Sequence, residues 1–180
     1  MADAISTAEP GQDRNVAALM LYFSTYVHHF FWGDIVEKDD RYYMEKAYNE
    51  AKKAYSKNEI PVGVVIVENG VIISKAHNLR DTLNIVTKHA EIVAIEKANR
   101  KLNNWRLIDS IMYCTLEPCD MCQEVINESK INKVVFAAKN NNKRLNINND
   151  NYYQIQDQDV INKCELLIKN KFKELRTIKE

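Results

Sequence analysis

Three short stretches carry the residue types from which a hydrolytic metal site is built: His89-Ala90-Glu91, Pro118-Cys119 and Cys122. Together they read H-x-E followed, 27 residues later, by P-C-x-x-C. One imidazole and two thiolates make three ligands, one short of a closed tetrahedron. Structural zinc sites usually take four protein ligands, whereas catalytic ones keep the fourth position for water. Glu91 is too close to His89 in sequence to be a convenient extra ligand, yet near enough to reach such a water. A carboxylate there can take a proton and pass it to a substrate. A lone C-x-x-C also serves as a redox pair or as two core cysteines, and a lone H-x-E says less still. Their conjunction, each ahead of an amphipathic helix, points to a metal site.

The elements that must position these residues follow from periodicity. Pro118 is expected at the first position of a helix over Pro118 to Ser129, where its missing N–H costs nothing. Cys119 and Cys122 then fall one turn apart at the positive end of the helix dipole, a field that favours the thiolate. His89 is expected to open a helix over Lys88 to Lys101, so two helix N-termini converge on one ion. Before them, Arg41 to Lys57 reads as an amphipathic helix. Ile60 to Val67 and Val71 to Lys75 are β-branched runs joined by Glu68-Asn69-Gly70, a strong hairpin signal. Ser110 to Thr115 and Ile131 to Ala137 read as strands, 140–151 as an Asn-rich loop, and Val160 to Ile178 as a long helix with Ile161, Cys164, Ile168, Phe172 and Leu175 on one side. This order predicts an α/β fold with one mixed sheet layered by helices. Cys114 and Cys164 fall on apolar positions and are expected to be inert. His77, at a strand end, belongs to no spacing pattern, and His28 and His29 lie outside the domain.

At 180 residues, 46% hydrophobic and 28% charged, the chain has room for one ordinary domain, and its composition excludes wholesale disorder. Lys plus Arg and Asp plus Glu both number 25. From Lys130 onward 11 basic residues face 6 acidic ones, an excess compatible with a polyanionic partner. Four cysteines are too few and too unevenly spaced for a disulfide framework. Residues 1–40 read as an N-terminal extension and 41–180 as the domain. Within the extension, Val16 to Trp32 holds 13 apolar residues of 17, shorter than the roughly 20 that span a bilayer. Asp3, Glu9 and Asp13 outnumber Arg14, against the basic start of a signal peptide. No membrane partner is expected.

The chain resembles the zinc-dependent deaminases of the cytidine-deaminase superfamily. The resemblance runs from about Tyr42 to Arg176 and rests on His89-Ala90-Glu91, His77-Asn78, Asn104-Trp105-Arg106-Leu107 and Ser129-Lys130-Ile131. It rests also on Asn58 to Gly63 and on Thr115 to Cys122, whose Pro118-Cys119-Asp120-Met121-Cys122 pattern guanine and cytosine deaminases share. Within the superfamily, Glu59-Ile60-Pro61-Val62-Gly63, Thr115-Leu116-Glu117-Pro118-Cys119 and the basic last helix tilt the resemblance toward the tRNA adenosine deaminases. Such membership implies a three-layer α/β/α fold with a central mixed sheet of about five strands. It implies one Zn2+ per subunit on His89, Cys119 and Cys122, with Glu91 as the catalytic proton carrier. Asn78, Ala90, Glu117 and Pro118 would bind the base, and Lys139, Asn140, Lys169, Lys173 and Arg176 would contact RNA. The implied substrate is adenosine at the wobble position of a tRNA anticodon stem-loop, and the implied protein is a cytoplasmic homodimer. A free nucleobase or nucleoside deaminase, and a non-catalytic zinc-containing RNA-binding subunit, are the alternatives. Two segments depart from the family pattern. Asn84-Ile85-Val86-Thr87-Lys88 lacks the usual proline before the histidine, placing Lys88 toward solvent or phosphate. Lys139-Asn140 and the run to Asp150 lack the usual Arg-Asp and glycines.

Overall fold

The computed structural model describes residues 38–141 and 150–177. The expectations placed on residues 1–37, and on 142–149 of the Asn-rich loop, lie outside them. Helix α1 (Asp40–Ser56) starts where the Asp39 carboxylate accepts the Tyr42 N–H at 2.8 Å, an N-cap that satisfies one orphan donor of the first turn. Its apolar stripe buries Tyr43, Met44, Ala47, Ala51 and Ala54. The hairpin follows as expected, β1 (Gly63–Glu68) and β2 (Val71–His77). Its turn residues Asn69 (φ 49°) and Gly70 (φ 74°) are both left-handed, the geometry that matches the twist of flanking strands.

After β2 come α2 (Arg80–Leu83), α3 (Ala90–Leu102), β3 (Ser110–Leu116), α4 (Asp120–Glu128), β4 (Lys133–Ala138), β5 (Tyr152–Gln154) and α5 (Gln158–Thr177). The sheet runs β2-β1-β3-β4-β5. β1 is antiparallel to both β2 and β3, whereas β3, β4 and β5 are parallel. Alternate residues of β1 feed two cores. Val64 and Ile66 pack with Ala90, Ala94 and Ile126 of α3 and α4. Val65 and Val67 pack with Met44 and Ala47 of α1 and with Val160 and Cys164 of α5. The result is the three-layer α/β/α arrangement with a five-stranded mixed sheet.

Gly63 sets the spacing of the layers at the start of β1. A Cβ there would lie 2.0 Å from the Ala47 carbonyl oxygen and 2.4 Å from the Ala51 nitrogen, both backbone atoms of α1. Because β1 and β3 pair antiparallel with Val64 opposite Cys114, the start of β1 and the ends of β2, β3 and β4 share one edge of the sheet. The segments leaving that edge are Glu59 to Val62, Asn78 to His89, Glu117 to Cys119, and Lys139 with Asn140. Ligands of open α/β sheets bind at this kind of edge.

Some elements differ from expectation. Pro118 does not open α4: Cys119 is the N-cap and Asp120 the first helical residue. The helix α2 and the strand β5 are four and three residues long, too short for a period to show. Along α5, Ile161 and Cys164 are buried as expected, with Val160 beside them, but farther on Lys171 is 2% exposed while Phe172 is 39% exposed. The second half of α5 reaches the end of α1. There the Lys171 ammonium donates to Asn58 Oδ1 and lies 5.7 Å from the Tyr55 ring, both at the end of α1. Among the described residues no helix is long and apolar enough to cross a membrane.

Candidate active site

His89 and Cys119 are the N-caps of α3 and α4, both with extended backbone, and neither side chain is spent on capping its helix. That leaves both side chains free to turn toward one point. Cys122, one turn into α4 and fully buried, completes the group. His89 Nδ1 lies 3.6 Å from Cys119 Sγ and 3.5 Å from Cys122 Sγ, and all three ligand atoms fall within 4.8 Å of one another. A tetrahedron with usual Zn–N and Zn–S bonds has an N···S edge of about 3.6 Å. The three residues therefore fit a zinc ion and would supply three of its four ligands.

The electrostatics agree with that donor set. A hydrogen bond from Cys122 draws the Cys119 thiol down to about 4, against the effect of burial, and the His89 ring assists. Cys122, the donor in that bond, is correspondingly raised. Cys119 thus stands as a thiolate, the form a metal requires. The Glu91 carboxyl is 4% exposed, and burial pushes it above the usual carboxylate range. It lies close enough to feel the charges of His89 and Cys119. The helix geometry that separates residues 89 and 91 in direction does not keep Glu91 from the site.

His89, Glu91 and Cys119 share a cavity of about 330 Å3. One wall is His89, Ala90 and Glu91, the opposite one Leu116, Glu117 and Cys119, with Asn140 beside them. Ile60, Val62, Asn78 and Arg80 line it from the hairpin side, and Phe172 reaches it from α5. Asn140 fastens Glu117 twice, its backbone N–H donating to the carboxylate at 3.1 Å and its amide to the carbonyl at 3.3 Å. Of the expected base-contacting residues, Asn78, Ala90 and Glu117 reach the cavity. Pro118 is buried outside its lining, with its carbonyl accepting from Gln123 Nε2 at 2.9 Å.

Of the expected RNA contacts, Asn140 alone lines the cavity. Lys139 is exposed beside it. Lys169, Lys173 and Arg176 are exposed along α5, with Lys169 paired to Glu165 at 2.9 Å. Lys88 is partly exposed, and its ammonium donates to both Glu96 oxygens, at 2.7 and 2.8 Å. His77 stands apart from the metal group, its Nδ1–H donating to Glu50 and its Nε2 accepting from Lys57. Cys114 is fully buried, as expected. Five cavity residues, Ile60, Val62, Arg80, Leu116 and Phe172, lie outside the expected site set, and of these Ile60, Val62 and Leu116 appear in the sequence only as parts of motifs. Phe172 reads as part of a core stripe, and Arg80 belongs to a helix too short to show. Glu59, which lies behind Asn78, was legible only as part of a motif.

Comparison with known proteins agrees with the geometry. Residues 37–138 match the family model of the cytidine and deoxycytidylate deaminase zinc-binding region. The chain is 48% identical over 99 residues to a tRNA-specific adenosine deaminase of Bacillus subtilis (strain 168), covering 55% of this chain and 62% of that one. It is 48% identical over 97 residues to the protein of the same name from Aquifex aeolicus (strain VF5), covering 54% and 64%. The chain thus spans somewhat under two thirds of the length of these relatives. Among solved structures, one from a study of A-to-I editing by tRNA:A34 deaminases superposes with a TM-score of 0.55 at 38% identity, covering 56% of this chain and 77% of that one. A guanine deaminase from Bacillus subtilis superposes with a TM-score of 0.54 at 35% identity, covering 56% and 65%.

Proposed function

The chain belongs to the cytidine and deoxycytidylate deaminase zinc-binding family, and from that premise we propose that it deaminates adenosine to inosine at the wobble position of tRNA. The observation that carries this reading is the buried Glu91 in one cavity with His89 and Cys119, whose ligand atoms cluster with that of Cys122 just behind the wall. A bare metal module would not need that carboxylate. The choice of tRNA is supported by relatives 43–48% identical that bear that name.

His89, Cys119 and Cys122 would hold the zinc, whose Lewis acidity when bound makes a water acidic enough to attack. Glu91 takes the proton released by the attacking water and delivers it to N1 of the adenine ring. It then moves the proton of the new C6 hydroxyl to the departing amine, leaving a C6 carbonyl, so water is consumed and ammonia released. At 4% exposure Glu91 is shielded from bulk water, which keeps the proton within the site. Asn78, Ala90, Glu117 and Pro118 form and support the base pocket. The entering base comes from a single-stranded anticodon loop, where extrusion costs less than from a duplex. Lys139, Asn140, Lys169, Lys173 and Arg176 would meet the RNA. A cytoplasmic homodimer is part of the same reading, and the exposed apolar side chains of Leu83, Ile85 and Val86 supply surface for a protein contact.

The similarity to a guanine deaminase favours a second reading, a free-base deaminase. One assay separates them: an anticodon stem-loop with a wobble adenosine, run beside free adenosine, cytidine and guanine. Inosine formed in the stem-loop, at a rate that falls steeply with salt, supports the tRNA reading. Turnover of free guanine alone overturns it and leaves the chemistry in place.

A further inference from the structure

Glu59 is fully buried, with 0% of its surface exposed, and no step of the proposed reaction uses it. It accepts three hydrogen bonds. Asn78 Nδ2 donates to Oε2 at 3.1 Å, the Asp81 N–H to Oε2 at 3.2 Å, and the Thr82 N–H to Oε1 at 2.6 Å. These donors come from the end of β2 and the first turn of α2, about 20 residues away in sequence. The N-cap of α2 is Leu79, whose side chain cannot cap a helix, so Glu59 satisfies two of the orphan donors from outside. Burial works to raise the Glu59 carboxyl, but the bonds from Thr82 and Asp81 outweigh it and hold the group below the usual range, so it is an acceptor only.

An acceptor-only partner has a consequence for Asn78. The carboxamide must turn its Nδ2 toward Glu59, which leaves Oδ1 free to face the cavity as an acceptor. The same carboxylate fixes the turn that carries Arg80 to the cavity wall. We propose that Glu59 is the positioning residue of the substrate site, setting Asn78 to accept a hydrogen bond from the bound nucleotide and holding Arg80 at its rim. The inference rests on the deaminase reading for the role of Asn78. The acidic residue of the Asn58 to Gly63 motif thereby orients the substrate without touching it.

Glu59→Gln tests this, because it keeps the shape and puts an N–H among three donors. KM for the stem-loop is expected to rise at least tenfold while kcat stays within threefold and zinc content is unchanged. Glu59→Asp, which remains an acceptor, should recover part of that loss. The second readout needs no substrate: the side-chain amide resonance of Asn78 in 15N-labelled protein, assigned by its loss in Asn78→Ser, should shift in Glu59→Gln. An unchanged KM with an unmoved amide overturns the proposal. So does a fall in kcat and zinc content at constant KM, which would make Glu59 a support of the metal site. If the wild-type chain ignores the stem-loop, the tRNA reading fails. The amide resonance, and KM for whichever base or nucleoside is turned over, still decide the role of Glu59.

Discussion

His89 Nδ1 and Cys119 Sγ stand 3.6 Å apart although 30 residues separate them, each at the N-cap of a different helix. The distance is that of two ligands on one tetrahedral ion, held by two helix starts that leave their cap side chains unused.

Cys119→Ala should therefore lose most of its zinc and part of its stability together. A preformed metal site couples ion affinity to folding, and the chelator-treated wild type should melt at the same lowered temperature as the variant. Elemental analysis and a thermal melt measure both. A variant that retains stoichiometric zinc would remove Cys119 from the ligand set.

Glu91→Gln keeps the volume of the side chain and deletes its capacity to carry a proton. Zinc content and the melt should match wild type, because Glu91 is not among the three atoms that converge. Turnover should fall by about 10²–10⁴-fold, the usual contribution of a positioned acid–base group. Retained turnover would pass the proton transfer to another group.

Much of this site could be read from the chain, and the reasons are physical. Ligand spacing is local, so H-x-E and P-C-x-x-C declare themselves, and Asn69-Gly70 declares its turn because few residues accept two successive positive φ values. Glu59 could not be given a role, because its three donors lie across the sheet edge and no periodicity links them. The burial of Lys171 was equally hidden. Helical phase places it on a flank, and only the packing of α5 against the end of α1 brings it to Asn58. The start of α4 lies two residues beyond the expected Pro118, at Asp120, because a proline suits the extended backbone before a helix as well as its first turn.

Gly63→Ala tests how closely α1 must approach the sheet. The new Cβ would meet backbone atoms at 2.0 and 2.4 Å, which no side-chain rotation relieves. Overpacking usually costs about 1–3 kcal/mol, and a clash with two rigid main chains should lie at or above the top of that range. The urea midpoint reports it. A midpoint unchanged from wild type would mean that α1 shifts freely.

Glu50 and His77 supply a pH-dependent tie between α1 and β2. The His77 Nδ1–H donates to Glu50 Oε2 at 3.0 Å, and Lys53 donates to Oε1 at 2.6 Å. Burial works to raise the Glu50 carboxyl, but these two donors outweigh it and hold the group below the usual carboxylate range. A carboxylate that is more acidic folded than unfolded binds fewer protons in the native state. Its contribution to stability is then complete above the unfolded value, near 4.5, and is lost as pH falls through the folded one. Urea midpoints of wild type and Glu50→Gln, measured from pH 7 down to pH 3, should differ most at the neutral end and converge in acid. The variant cannot ionise at this position, so its curve should be flatter below pH 5. Parallel curves across that range would show that Glu50 is not held ionised by Lys53 and His77, and that the tie is one of packing alone.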